Sequence, residues 1–280
     1  MIKVKVETIE IDSVKIYRMS TLDPKDKPLL WVSSYLIDGL LIDFGHYHAK
    51  DDFLKVLNLN EIELCVLSHH HEDHLGACYD LINNLNLPIY ATKETTFLVR
   101  PKIRIPPERN LVWGLPKPIK AALLPNYENI KTNKAEFKII PSPGHCNNLI
   151  SFFHVKKRYL FSTDAIISEE QNVIFNWENA IKMLDTFNKF KTLNPKYIFL
   201  EDGRVITIKD LEHLIDYWND LKNQSETLYK EGFKEREIVK KIFGKDSWLK
   251  ISTGGDISRE NLIRSLLKLP SIFKRKIRNK

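Results

Sequence analysis

Seven consecutive residues, Ser68-His69-His70-His71-Glu72-Asp73-His74, hold four of the nine histidines of a 280-residue chain. Imidazole nitrogen and carboxylate oxygen are the donors that zinc and similar divalent ions prefer. The cluster sits between two kinds of element. Before it, Ile62 to Leu67 is a short apolar run of the kind that forms a buried strand. After it, Leu75, Cys78, Leu81, Ile82 and Leu85 recur at helical spacing. A chain leaving a buried strand for a helix must turn, and side chains on such a turn converge. His69 and His71 alternate and can face one point, whereas Asp73 and His74, at the entry to the helix, can face a neighbouring one. That arrangement suits two adjacent ions. The bland alternative, a histidine-rich surface loop, fits poorly with a cluster this dense between a strand and an amphipathic helix.

Three further segments carry candidate donors: Leu41-Ile42-Asp43-Phe44-Gly45, Pro143-Gly144-His145 after an apolar strand at Phe137, and Phe161-Ser162-Thr163-Asp164. Singly, each reads as a turn or a cap. In this order, and with the His-x-His-x-Asp-His segment, they resemble the signatures of the metallo-β-lactamase superfamily over about residues 1–208. The resemblance implies an α+β fold, a four-layer αββα sandwich with the metal site at one edge between the sheets. It also implies that His69, His71 and His145 bind a first ion, that Asp73 and His74 bind a second, and that Asp164 bridges them. Asp43 would stand behind the ligands and orient them.

One position departs from that pattern. Where the superfamily supplies a further histidine after its last core strand, this chain reads Leu200-Glu201-Asp202-Gly203-Arg204. Asp202 occupies the expected place. It is read either as a direct ligand, as one acting through a water, or as the mark of a weak second position. His46 and His48 are alternative donors, or with Trp113 they line the mouth of the cleft. Cys146 and Thr163 stand where serine and glycine are common, and both replacements are small. The cofactor expected is one or two divalent ions, zinc first, with manganese or iron favoured if a carboxylate completes the set. Such an ion lowers the pKa of bound water to about 7, and Asp73 can orient that water. The first substrate class expected is a thioester or related ester, as in the glyoxalase II (hydroxyacylglutathione hydrolase) branch, in which a C-terminal helical extension helps build the pocket. A lactone comes second. A small metal-dependent nuclease or phosphodiesterase, and a ligand-depleted binding protein without activity, are the readings from other classes.

The rest of the chain must position these residues. Ile2–Ile11 and Val14–Met19 alternate as strands, and Leu29–Ile37 and Leu40–Phe44 are joined by Asp38-Gly39, a strong hairpin signal. Phe53 to Leu57 suggests a short helix. Six prolines between 101 and 125 predict a long irregular loop around Trp113. Strands are expected at Phe137–Pro141, Leu149–Val155, Tyr159–Ser162 and Tyr197–Leu200. A helix carrying Ile181, Leu184 and Phe187 is expected with Asn176 as its N-cap. Beyond a boundary near 208 the pattern is helical. Leu211 to Leu228 form a stripe closed by Gly232, a second stripe is closed by Gly244, and a third is capped by Ser258. Domains are therefore expected at 1–208 and 209–280.

Hydrophobic residues make up 43% and charged residues 28%, an ordinary balance for a folded chain. Five of the seven net positive charges lie at Lys274, Arg275, Lys276, Arg278 and Lys280. The body is nearly neutral, so nucleic acid is not the expected partner and a small molecule is. Nothing resembles a membrane span or a secretory leader, and a cytoplasmic location is expected. Cys65, Cys78 and Cys146 form neither a metal clip nor a disulfide framework. Oligomeric state is not legible.

Overall fold

The computed structural model of the chain describes residues 2–271; the basic tail at 274–280 lies outside them. Two β-sheets organise the first compact unit, Met1–Pro141, Asn148–Asp164 and Lys196–Val205. The first has seven strands in sequential order: β1 (Val4–Ile11), β2 (Val14–Thr21), β3 (Val32–Ile37), β4 (Leu40–Ile42), β5 (Leu64–Val66), β6 (Ile89–Ala91) and β7 (Ala122–Leu123). β1 to β4 form an antiparallel meander, and β4 to β7 run parallel. The β3–β4 hairpin turns at Asp38-Gly39 with φ of 45° and 87°, the paired left-handed values that the Asp-Gly signal predicts.

The second sheet runs β14-β13-β11-β10-β9-β8. Its strands are β8 (Asn129–Lys131), β9 (Glu136–Pro141), β10 (Ile150–His154), β11 (Tyr159–Thr163), β13 (Tyr197–Leu200) and β14 (Val205–Ile206). Side-chain alternation in the first sheet divides the core. Tyr17, Met19, Leu41 and Cys65 pack with Phe53 of α1 (Lys50–Val56) and with Cys78 and Leu81 of α2 (Cys78–Asn83). Ile16, Tyr35, Ile42 and Val66, on the opposite face, meet Phe137, Phe152, Phe161 and Phe199 of the second sheet.

The proline-rich segment is not all loop. After α3 (Lys93–Leu98), it folds into α4 (Pro107–Trp113). Proline breaks helices only in their interior. At the first helical position its absent N–H would have had no partner anyway, and Pro107 stands there. Gly114 ends α4 with φ 77°, and a Cβ there would lie 3.0 Å from the His48 ring. Trp113 is buried, with its ring 5.3 Å from that of His46.

The second unit comprises Ser142–Asn147, Ala165–Pro195 and Ile206 onward. It contains α5 (Ala180–Thr192), α6 (Ile208–Lys230), α7 (Glu235–Phe243), α8 (Leu249–Ser252), α9 (Arg259–Leu266), and the short pair of β12 (Ile174–Phe175) with β15 (Ile257–Ser258). α5 groups with the C-terminal stretch, and Phe187 packs edge-on against Trp218 of α6 at 5.2 Å. The cap of α5 is Asn179, whose side chain accepts the Lys182 N–H; Asn176, three residues earlier, instead holds Asp256 at 2.7 Å. Gly232, Gly244 and Ser258 end or begin helices as their types predict. Among the described residues, no helix is long and apolar enough to cross a membrane.

Candidate metal centre

Two groups of donors meet at the C-terminal ends of β5, β11 and β13. β5 delivers the chain to Ser68, His69 and His71, and Glu72–His74 form one turn of 3-10 helix that carries Asp73 and His74. His69, His71 and Asp164 offer ligand atoms within 4.8 Å of one another, and so do Asp73, His74, Asp164 and Glu201. Asp164 belongs to both groups. Its Oδ2 lies 3.5 Å from His69 Nε2, and its Oδ1 lies 2.8 Å from His74 Nε2. His70, between the two histidines of the first group, bonds Asn148 instead.

A buried network fixes the imidazoles. Asp43, 1% exposed and held at φ 57°, accepts the Ser68 N–H on Oδ1 at 2.8 Å and the Ser68 hydroxyl on Oδ2 at 2.7 Å. The same Oδ2 lies 2.8 Å from His74 Nδ1. Having donated its proton to Asp43, the Ser68 hydroxyl accepts from His69 Nδ1 at 2.9 Å. One carboxylate therefore places the Nδ1 protons of two histidines on the side away from the cluster. Both Nε2 atoms are left facing Asp164. Asp43 stands behind the donors.

The donor set fits a divalent ion. Asp73 Oδ1 is buried and makes no hydrogen bond, which is costly unless something else satisfies it. Burial, together with the charges of Asp164 and Asp73, pushes the Glu201 carboxyl well above its ordinary range. For His74, burial works against the charged form, but the carboxylates of Asp164 and Asp43 override it and hold the imidazole well up. Converging carboxylates of this kind are relieved by a cation.

Asp202 does not enter either donor group. Its Oδ1 accepts the Arg204 N–H at 3.0 Å, and its Oδ2 pairs with Arg204 Nε at 2.6 Å, so the carboxylate is engaged by its own turn. Glu201, one residue earlier, faces the ligand group. The reason is register. β11 and β13 are parallel with Thr163 opposite Leu200. The next residues, Asp164 and Glu201, therefore leave the sheet side by side. Thr163 has φ 48°, a left-handed value that disfavours a β-branched residue and accounts for glycine being common there.

His46 and His48 do not enter either group. His46 is fully buried, and burial, with the charge of His48, lowers its pKa to about 3. The Trp113 backbone opposes that shift weakly, and neither ring nitrogen reaches hydrogen-bond geometry. His48 Nε2 pairs with the Asn110 carbonyl at 3.0 Å and so secures α4. α4 also brings Arg109, which sequence reasoning missed. Its Nε binds Glu72 and its Nη2 lies 4.0 Å from Asp73 Oδ1. No spacing in the chain ties Arg109 to Glu72; only the folded helix does. His145 lies in the second unit, on the Ser142–Asn147 segment, with its Nδ1 2.5 Å from Glu178 Oε1.

Comparison with known proteins agrees with this geometry. Residues 30–201 match the family model described as the metallo-β-lactamase superfamily, and the chain belongs to that superfamily. It is similar to a hydroxyacylglutathione hydrolase of Bdellovibrio bacteriovorus, 23% identical over 206 residues, covering 67% of this chain and 74% of the relative. It is also similar to the β-lactamase-like protein 2 homologue of Caenorhabditis elegans, 22% identical over 261 residues, covering 87% and 81%. Among solved structures, a metallo-β-lactamase family protein from Thermus thermophilus superposes with a TM-score of 0.60 at 16% identity, over 90% of each chain. That likeness shows the shared fold.

Proposed function

We propose that this metallo-β-lactamase superfamily hydrolase cleaves a thioester of a small organic acid. In this reading His69, His71 and His145 hold one ion, Asp73, His74 and Glu201 hold a second, and Asp164 serves both. The observation that carries it is the pair of donor groups sharing Asp164, each with Nε2 lone pairs set by Asp43. Divalent ions bound there acidify water and polarise a carbonyl oxygen. The chain's own contribution is to hold the donors rigid and to offer Asp73 as the acceptor that orients the attacking water. The second group contains three carboxylates and a single imidazole, a harder set than one with two imidazoles. Zinc is the choice for the histidine-rich position and manganese or iron for the carboxylate-rich one.

The thioester class is favoured by the relatives named hydroxyacylglutathione hydrolase and by the helical C-terminal unit. The test is turnover by the protein loaded with zinc or manganese on matched panels: acyl thioesters of glutathione and coenzyme A, lactones of several ring sizes, and phosphodiesters. Preference for thioesters, lost in the His69→Ala/His71→Ala variant, is the expected result. Turnover confined to lactones or phosphodiesters overturns the substrate class. Undiminished turnover in the double variant overturns the metal centre.

A further inference from the structure

The turn that leads into α5 is built around one buried carboxylate. Glu178 places Oε1 2.5 Å from His145 Nδ1, and its Oε2 accepts the Phe175 N–H at 2.7 Å. The loop carrying His145 is fixed to the same region at three points. The Asn179 N–H donates to the Gly144 carbonyl at 2.8 Å. The Thr186 hydroxyl donates to the Pro143 carbonyl at 2.8 Å. Gly144, at φ 143°, lies so close to α5 that a Cβ would come within 2.7 Å of Met183 N. The C-terminal helices in turn hold this region. Ser265 Oγ of α9 accepts the Ala180 N–H at 2.8 Å, and Asp256 holds Asn176.

We infer that Glu178 is a positioning residue for His145. It accepts the Nδ1 proton, fixes the ring, and leaves Nε2 as the lone pair available to an ion. An imidazole backed by a carboxylate is the more basic ligand, and its ring needs no further ordering on binding. Within this unit, Ser265, the start of α5 and Glu178 together hold the His145 ring. This inference rests on the reading of His145 as a ligand.

Zinc alone is the probe, titrated against a competing chelator into the wild-type protein, Glu178→Ala, Glu178→Gln and His145→Ala. Loss of the carboxylate in Glu178→Ala weakens zinc at one position by roughly 10–100-fold, the range found for such supporting groups. Glu178→Gln loses less, because one amide oxygen can serve His145 or Phe175 but not both. In metal-free protein, nitrogen-15 NMR finds the His145 proton on Nδ1 in the wild type and shared between the two nitrogens in Glu178→Ala, a change that a merely structural role does not produce. Should Glu178→Ala not fold, Glu178→Gln decides by the same two readouts. If His145→Ala loses an ion while the Glu178 variants bind zinc and keep the Nδ1 proton as in the wild type, the inference is wrong and the ligand reading stands. If His145→Ala keeps every ion at wild-type affinity, the ligand reading fails and takes the inference with it.

Discussion

Asp43→Asn separates the network behind the ligands from the ligands themselves. The substitution keeps the size and shape of a side chain that is 1% exposed. It removes the capacity to accept three hydrogen bonds, from Ser68 N, Ser68 Oγ and His74 Nδ1. An amide has one accepting oxygen. If that oxygen stays opposite Ser68 N, the new NH2 group faces two donors, Ser68 Oγ–H and His74 Nδ1–H. The serine hydroxyl can rotate to accept. His74 can accept at Nδ1 only by moving its proton to Nε2, the nitrogen 2.8 Å from Asp164. If the amide flips, the NH2 group confronts the Ser68 N–H and one bond is lost there instead.

One or two hydrogen bonds to a charged acceptor therefore disappear, at roughly 1.5–3 kcal/mol each, giving a loss of about 1.5–6 kcal/mol in the metal-free protein. That is an upper bound, because a neutral amide is less costly to bury than a carboxylate. A fold stabilised by roughly 5–15 kcal/mol survives it. Metal binding suffers as well: with the His74 lone pair redirected, affinity at that position falls by roughly 10–100-fold. Urea unfolding of metal-free protein reads the first quantity, and chelator-competed titration reads the second. An unchanged urea midpoint together with unchanged affinity would falsify the role assigned to Asp43.

Three further outcomes are expected. Glu201→Gln reduces the ions bound per chain, measured by elemental analysis after dialysis, whereas Asp202→Asn leaves the number unchanged; the reverse pattern returns the ligand to Asp202. Thr163→Gly shifts stability by less than about 1 kcal/mol despite emptying a buried site, because the left-handed strain relieved, roughly 1–2 kcal/mol, offsets the backbone freedom glycine adds and the lost methyl contacts; a loss beyond about 2 kcal/mol in thermal unfolding refutes that balance. His46, with its folded pKa lowered to about 3, refuses a proton that the unfolded chain takes below about 6.5, so its contribution is present above that pH and stability is lost as pH falls toward 3. The loss reaches roughly 3 kcal/mol at pH 4, and His46→Gln should flatten this acid limb of the denaturation curve; an equally steep limb in the variant shows that the histidine is not its source.

The parts legible in the sequence are those in which chemistry and local structure agree. His69 to His74 are recognisable because ligand types coincide with a strand-to-helix turn, and Asp38-Gly39 because one turn geometry demands those residues. The parts that were not legible depend on distant registration. Glu201 and Asp202 are both acidic and adjacent, and only the pairing of Leu200 with Thr163 decides which of them stands beside Asp164. A residue count from a family pattern cannot resolve a shift of one. α4 was hidden for a different reason: clustered prolines signal loop on average, while Pro107 occupies the one helical position where proline costs nothing. Asn176 and Asn179 are equally good caps by type, and the contact of Asn176 with Asp256, 80 residues on, is what leaves the cap to Asn179.

A carboxylate from Glu201 beside Asp73 and Asp164, rather than an imidazole, would change the charge balance of the whole centre. Asp73, Asp164 and Glu201 bring three carboxyl groups to one group of donors, and buried Glu72 adds a fourth nearby. Two divalent ions shared with the histidine-rich group would balance four ionised carboxylates, and Arg109 adds a positive charge from α4. Unit charges 4 Å apart at an effective dielectric of about 20 attract by roughly 4 kcal/mol before desolvation is counted. The Arg109 guanidinium, at that separation from Asp73 and bonded to Glu72, is thus a substantial part of the electrostatics. Burial opposes its charge, and the surrounding carboxylates hold it protonated. A donor group rich in carboxylates is harder than one rich in imidazoles, and Arg109 offsets part of the charge that those carboxylates carry, so Glu201 and Arg109 are best understood together.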